Sequence, residues 1–261
     1  MRLRLSCALI ALVVALGACD APPVEWSDPV PASGQPDGRL SIDAAGRPRF
    51  ADEPGAATVS APKASGLCTT SLRLVRGSRH LFAAWWSVRP DSSAVLYSAS
   101  SADSGATWGT PAAVDTSDVS SRGCNRPSPS LATVGDDLHT AYSMSAPEGT
   151  GVFFAHFMGS MLHSPVAVIY GERLVATAIA AEGDHVAVAY EEPNGTRQQV
   201  DVALSTTQGH LFDWHTTASR DIDAASAPSV ALAGKTLAVA WTTRRQADTV
   251  STRVVRVGHL R

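Results

Sequence analysis

The sequence predicts an all-β fold, a small β-propeller of about four to five four-stranded blades. The first observation is a pattern in which a turn glycine precedes an alternating apolar strand that ends in Ala plus Trp or Tyr. It occurs in GSRHLFAAW (77–85), GDDLHTAY (135–142), GDHVAVAY (183–190) and GKTLAVAW (234–241). The second observation is spacing, since the closing aromatics recur with a period of about 50 residues, which is typical of a propeller blade.

The third observation is that each unit holds enough further strands for a blade. A strand precedes each turn glycine, at 70–75, 128–134, 175–181 and 227–233. A fourth strand with a proline at the same relative place lies at 110–114 and 164–168. The repeats therefore cover about 67–120, 121–172, 173–224 and 225–261. The last unit stops before a fourth strand, and the strand-like residues 39–50 are the candidate for closing the ring.

The N-terminus has the features of a secretion signal. Arg2 and Arg4 precede an apolar run from Leu5 to Ala18, which is too short to span a bilayer comfortably. Its end, LGAC at 16–19, resembles a bacterial lipobox. The resemblance implies that residues 1–18 are removed and that Cys19 carries lipid. We therefore expect a membrane partner through a lipid anchor, and a location in the bacterial cell envelope on the periplasmic or cell-surface side.

Residues 19–66 differ in composition from the repeats. Eight of the 16 prolines fall there, and Ala, Ser and Gly fill much of the remainder. This composition predicts a tether that holds the repeats away from the membrane.

Two cysteines, Cys68 and Cys124, remain in the repeat region. In a compartment where disulfides persist we expect them to form a bridge. Closing so long a loop stabilises by about 4 kcal/mol in the chain-entropy treatment. The net charge of −3 and the lack of a basic patch exclude nucleic acid as a partner.

The stretch SSADSGATW (100–108) resembles the Asp box of the bacterial neuraminidase repeat, found in sialidases and other propellers. The motif positions are Ser101, Asp103, Gly105, Thr107 and Trp108. A degenerate copy of the motif follows in the third unit, at Ser205, Thr207, Gly209, Leu211 and Phe212. The resemblance implies a structural turn on the outer rim, between the third and fourth strands of a blade. A short carboxylate at Asp103 suits that role because it can accept bonds from nearby backbone N–H groups.

The resemblance to sialidases also implies a site with three arginines, a tyrosine activated by glutamate, and an acidic aspartate. Arg73 and Arg126 begin or lie in innermost strands, so both are candidates to meet an anion in a central channel. The alternative for each is a solvated or rim arginine. Glu191 is a third candidate ligand residue, beside Glu192, and the alternative is a pair of solvated loop charges. Tyr142 and Tyr190 occupy the column of the core aromatics, so no catalytic residue is assigned.

The histidines follow the repeat columns rather than a metal geometry. His185 shares a column with Asp137, and His139 shares one with Phe82. His210 and His215 form only a weak pair around a turn. The sequence therefore predicts no metal site and no cofactor.

Three functions remain open. The first is a non-catalytic binding or scaffolding module for a glycan or an envelope protein. The second is a sialidase-like exo-glycoside hydrolase, which needs a carboxylate pair and an arginine cluster on one face. The third is an assembly subunit whose open edge pairs with a strand of a partner.

Overall fold

A computed structural model of the chain describes residues 22–32, 39–51, 61–195, 197–219, 224–244 and 251–261. The predicted signal peptide (1–18) and the predicted lipidation site Cys19 lie outside the described residues. Within the part of the chain that the structure describes, no helix has the length and apolar character needed to cross a membrane.

The described residues form strands and one short 3-10 helix, Thr69–Ser71. In chain order the strands are β1 (Val24–Trp26), β2 (Val30–Pro31), β3 (Arg39–Ile42), β4 (Pro48–Ala51), β5 (Arg73–Arg76), β6 (Leu81–Val88), β7 (Ala94–Ser101), β8 (Ala112–Asp115), β9 (Ser130–Val134), β10 (Asp137–Ala146), β11 (Gly149–Met158), β12 (Met161–Leu162), β13 (Val166–Gly171), β14 (Thr177–Glu182), β15 (His185–Glu191), β16 (Val200–Ser205), β17 (Trp214–Thr217), β18 (Ala224–Ala233), β19 (Thr236–Arg244) and β20 (Thr252–Leu260).

The strands assemble into four antiparallel blades and one two-stranded hairpin. The first blade contains β5 to β8, the second β9 to β13, and the third β14 to β17. The fourth blade contains β18 to β20, with β1 and β2 both paired to β20. The first strands of successive blades are neighbours, with β5 beside β9, β9 beside β14, and β14 beside β18. The predicted all-β propeller is confirmed, and in the second and fourth blades two strands share the fourth position, β12 with β13 and β1 with β2.

The strand that completes the fourth blade is not the predicted one. β1 pairs with β20, with Val24 opposite Leu260 and Trp26 opposite Gly258. Val24 is only 2% exposed, and a Cβ added at Gly258 would lie 2.3 Å from a methyl carbon of Val24. Because Gly258 has no side chain, the N-terminal strand β1 can approach β20 closely. Residues 39–50 do not pair with β20.

Residues 39–51 instead form the hairpin β3–β4. Its buried side chains, Leu40 and Phe50, pack with Ala231, Ala238 and Ala240 of the fourth blade. β3 lies beside β18 and so extends the series of central strands. Much of the segment predicted as a tether is therefore part of the folded body, because Val24, Leu40 and Phe50 are buried there.

The core lies between neighbouring blades. The repeat aromatics are all buried, each on the second strand of its blade: Trp85, Tyr142, Tyr190 and Trp241. Trp86 of the first blade meets the ring of Tyr142 of the second edge-on, with centroids 5.9 Å apart. Tyr142, Tyr190 and Trp241 thus pack against the preceding blade, whereas Trp85 packs within its own blade.

The predicted disulfide between Cys68 and Cys124 is present, with Cα atoms 5.5 Å apart. It ties the segment that enters the first blade to the loop that leaves it. The bridge thereby constrains the loop that connects the first blade to the second.

Candidate functional site

A cleft of about 440 Å³ opens at the centre of the propeller, where the first strands of the four blades begin. β3 supplies a further wall. The lining residues are Arg39, Leu40, Arg73, Leu74, Val75, Pro127, Ser128, Pro129, Ser130, Leu131, Ala176, Thr177, Ala178, Ile179, Ser229 and Val230. The polar side chains of this lining are two arginines and four hydroxyl groups.

A second cavity of about 330 Å³ lies at the opposite ends of the same strands. It shares Arg39, Leu40, Ile179 and Val230 with the first, so the two cavities adjoin at the centre of the propeller. Its other lining residues include Ser41 and Thr133 as well as Ala132, Ala180 and Leu232. Arg73 lines the mouth at the strand beginnings and not the opposite end.

Arg73 lies where the sequence predicted, in an innermost strand and on the wall of the cleft. Its side chain is exposed. Nη1 donates to the backbone oxygens of Thr70 (3.1 Å) and Leu72 (2.8 Å). These bonds hold one edge of the guanidinium, and an arginine has five N–H donors in all. Arg73 can therefore be anchored at the mouth and still bind an anion.

Arg126 does not line the cleft. Its side chain is fully buried and forms an ion pair with Asp118, with Nη1 2.9 Å from Oδ2. Nε donates to the carbonyl of Gly123 (2.7 Å), and the guanidinium lies over the Trp86 ring at 5.3 Å. The hypothesis that Arg126 binds an anion in the channel is corrected for this reason. Its charge is neutralised inside the structure.

Glu191 lies away from the central cleft, in a smaller cavity of about 260 Å³ between the third and fourth blades. Its Oε1 accepts a hydrogen bond from the backbone N–H of Ala227 at 2.9 Å. The Glu192 side chain is buried, and its Oε1 accepts from the backbone and side chain of Asn194. The two carboxylates are therefore held by different elements, β18 and the turn at Asn194, and do not act as a pair.

The buried tyrosines have structural partners. Tyr142 donates to Asp115 at 2.6 Å, and burial is the main cause that raises its pKa well above the ordinary value. The hydroxyl of Tyr190 lies 3.1 Å from Nδ1 of His215, and burial again raises the tyrosine pKa. Neither tyrosine is among the residues that line the cleft. Both are core aromatics, as their column in the repeat predicts.

The turn after β7 is held by its own side chains. Oδ1 and Oδ2 of Asp103 accept hydrogen bonds from the backbone N–H (2.8 Å) and the hydroxyl (2.6 Å) of Thr107. Ser101 donates to Asp103 at 2.7 Å and accepts from the N–H of Gly105 at 2.7 Å. These bonds lower the pKa of Asp103 to about 2. Gly105 has a φ of 91°, a conformation that favours glycine. The polar side chains of Ser101, Asp103 and Thr107 are all hydrogen-bonded within the turn.

Trp108 ends this turn and is half-buried. It packs against the cluster of Ala83, Trp85 and Ala99 within the first blade. The turn lies between the third and fourth strands of the blade, and none of its residues lines the cleft.

Three histidines that the sequence did not single out as a group come together at the outer part of the second and third blades. His156 lies on β11, His163 follows β12, and His210 lies in the turn between β16 and β17. One ring nitrogen from each lies within 4.8 Å of those of the other two. Their spacing in the sequence gives no signal, because His210 comes from a different blade.

His156 is the buried member of the cluster, at 3% exposure. Burial, aided by the neighbouring imidazoles, lowers its pKa to about 4. His139 stacks on His156 with ring centroids 5.6 Å apart, and burial lowers the pKa of His139 to about 4 as well. These rings are therefore neutral at physiological pH.

Comparison with known proteins gives similar structures only. Neither a protein-family model nor a curated protein matches the sequence. A Trypanosoma rangeli sialidase in complex with the inhibitor DANA has 13% identity and a TM-score of 0.49, covering 90% of this chain and 41% of that one. A Hadza microbial sialidase has 13% identity and a TM-score of 0.46, covering 70% of this chain and 45% of that one.

A xylan β-1,4-xylosidase from Bacillus halodurans has 12% identity and a TM-score of 0.44, covering 84% of this chain and 52% of that one. The chain thus spans about half or less of the length of these structures. The propeller assignment rests on the chain's own strand order.

Proposed function

We propose that this protein is a lipid-anchored module of the bacterial cell envelope that binds a carboxylate-bearing glycan in its central cleft without cleaving it. The observation that carries the proposal is the composition of the cleft. Arg39 and Arg73 lie on its wall with the hydroxyls of four Ser and Thr residues. Guanidinium groups bind carboxylates through paired hydrogen bonds, and hydroxyls bind the hydroxyls of a sugar.

The same lining argues against glycoside hydrolysis. Such hydrolysis usually needs two carboxyl groups, or a nucleophilic tyrosine in sialidases. Among the described residues that line the cleft there is no Asp, Glu, Tyr or His. A cleft with donors but without acid, base or nucleophile supports recognition rather than turnover.

The fold also argues against an assembly subunit that borrows a strand from a partner. The edge of the fourth blade that this hypothesis requires is covered by β1 of the same chain. The open edge that would drive exchange is therefore already paired.

The direction of the anchor supports the binding role. β1 begins opposite Leu260, at the end of β20, and the backbone N–H of Leu260 donates to the carbonyl of Lys235 in the turn that follows β18. Val24 therefore starts at the face where the innermost strands end, away from the mouth of the cleft that Arg73 lines. A lipid on Cys19 would lie within roughly 17 Å of that face, at about 3.3 Å per extended residue. The mouth would then point away from the membrane.

The test is calorimetric titration of the chain from residue 20 onward with acidic and neutral oligosaccharides. We expect binding of carboxylate-bearing sugars that weakens at least about tenfold in Arg73→Gln, the loss of one good charge-assisted hydrogen bond. Arg76→Gln is the matched control, because Arg76 is exposed on the same strand and does not line the cleft. Equal weakening by both variants would count against a specific site.

A fluorogenic sialoside assay on the same samples separates binding from catalysis. We expect no turnover. Turnover that disappears in Arg73→Gln but persists in Arg76→Gln would replace the binding proposal with the hydrolase alternative.

A further inference from the structure

We propose that His156, His163 and His210 form a zinc site that joins the second and third blades. The three rings form a compact group, with centroids 4.5 Å apart for His156 and His163. The His210 ring lies 4.8 Å from His156 and 5.1 Å from His163. Two ligands come from the second blade and one from the third, so a bound ion would cross-link them.

The buried member of the group has no other partner for its ring nitrogen. Nε2 of His156 is buried and forms no hydrogen bond, and the same is true of Nε2 of His163. A buried polar atom without a partner is destabilising unless something satisfies it. Coordination of one metal ion would give both nitrogen atoms a partner. No hydrogen bond within the protein does so.

The donor set selects the kind of ion. Neutral imidazole nitrogens suit zinc and its neighbours in the first transition series, whereas magnesium and calcium prefer oxygen. Among the described residues the group contains neither a carboxylate nor a thiolate. Three protein ligands would leave a tetrahedral zinc ion one position for water.

Coordination requires side-chain rotation, because the rings of His156 and His163 are stacked at 12° from parallel and both nitrogen lone pairs must point at one ion. Nitrogen ligands of one tetrahedral zinc ion lie roughly 3.4 Å apart, given zinc–nitrogen distances of about 2.0–2.1 Å. The ring nitrogens here lie within 4.8 Å of one another. Because His210 is exposed, its ring can turn toward the other two and can also admit the ion from solvent.

The backbone around the site is already fixed. The turn that carries His210 is held by the N–H of Gly209, which donates to Ser205 Oγ at 3.0 Å. Gly209 also lies against Phe154, where an added Cβ would come within 2.1 Å of the ring. The N–H of His163 donates to the carbonyl of His156 at 3.0 Å. Rigid support of this kind holds ligands in place before the metal arrives.

The test uses the chain from residue 20 onward after removal of metal with a chelator. Titration with Zn²⁺ should give one bound ion per chain and a higher melting temperature. His163→Asn and His210→Asn should each weaken binding by at least about tenfold, since even loss of an outer-shell partner costs that much. His259→Asn, which changes an exposed histidine on β20, is the matched control and should leave binding unchanged.

Cobalt offers a readout that does not depend on stability. Co²⁺ bound by the three imidazoles should show visible absorption bands that His163→Asn and His210→Asn remove. Absence of Zn²⁺ binding, or binding that both variants leave intact in samples with unchanged near-ultraviolet circular dichroism, would overturn the site. Zn²⁺ binding at these residues without any rise in melting temperature would overturn the cross-linking role.

Discussion

Thr207 in the third blade takes the structural place that Asp103 holds in the first. Thr207 Oγ1 accepts a hydrogen bond from the N–H of Leu211 at 3.1 Å, as Asp103 does from Thr107 at 2.8 Å. The preceding serine and the following glycine are joined in the same way in both turns. One acceptor two residues after the serine is therefore enough to form the turn, and a hydroxyl can replace the carboxylate.

Asp103→Ala should lower the melting temperature, because it removes the acceptor for the hydrogen bonds from Ser101 and from the backbone and hydroxyl of Thr107. Asp103→Thr reproduces the third blade and should retain most of the stability. The measurement is thermal unfolding followed by circular dichroism. An Ala variant that melts like the native chain but loses ligand would mean that Asp103 serves a site instead of the fold.

The contribution of Asp103 to the stability of the folded protein should depend on pH in the acid range. Its pKa is about 2 in the folded protein, against an ordinary value of 3.8. Because the folded pKa is the lower, the stabilisation is complete above 3.8 and is lost as the pH falls toward 2. The difference in melting temperature between the native chain and Asp103→Asn should therefore shrink across this window. A difference that stays constant would contradict the role assigned to the charge.

The repeat was predictable because it follows from local patterns. Alternating apolar residues, a turn glycine and a terminal aromatic define the second strand of each blade, and Trp85 and Trp241 are buried there as expected. The pairing of Cys68 with Cys124 followed from having only two cysteines in the repeat region.

The elements that the sequence did not place depend on contacts between distant residues. β1 is only three residues long, and its position is decided by Val24 meeting Gly258 at the other end of the chain. Arg126 matches the pattern of a channel residue in sequence, but its position is decided by the ion pair with Asp118. The histidine group joins two blades, so no local spacing marks it. Such relationships appear only when the topology is known.

Removal of the disulfide should cost a substantial part of the stability. The bridge joins residues 56 apart in the sequence, and closing a loop of that length corresponds to about 4 kcal/mol in the chain-entropy treatment. The Cys68→Ser, Cys124→Ser double variant should unfold at lower denaturant, and the native chain should show no free thiols in the repeat region before reduction. Equal midpoints for the oxidised and reduced native chain would contradict a stabilising bridge.

Closure of the fourth blade by β1 can be tested with two valines. Val24→Ala should lower the free energy of unfolding by roughly 2 kcal/mol, because it truncates a buried side chain. Val30→Ala is the control, since Val30 on β2 is 51% exposed and should change little. The measurement is denaturant unfolding of both variants. Equal effects would mean that β1 is not part of the cooperative core.

The buried pair of Arg126 and Asp118 should be the most sensitive charged position outside the cleft. Both side chains are 0% exposed, and Asp118 Oδ2 also accepts from the N–H of Ala94 at 2.9 Å. Arg126→Met removes one partner and leaves a buried carboxylate uncompensated, which typically costs about 3–5 kcal/mol. Arg122→Met, an exposed neighbour, is the control. Adding Asp118→Asn to Arg126→Met should recover part of the loss, because the second change removes the unpaired charge. The contradicting outcome concerns the free energy of unfolding. If Asp118→Asn lowers it by the same amount in the Arg126→Met variant as in the native chain, the two side chains act independently.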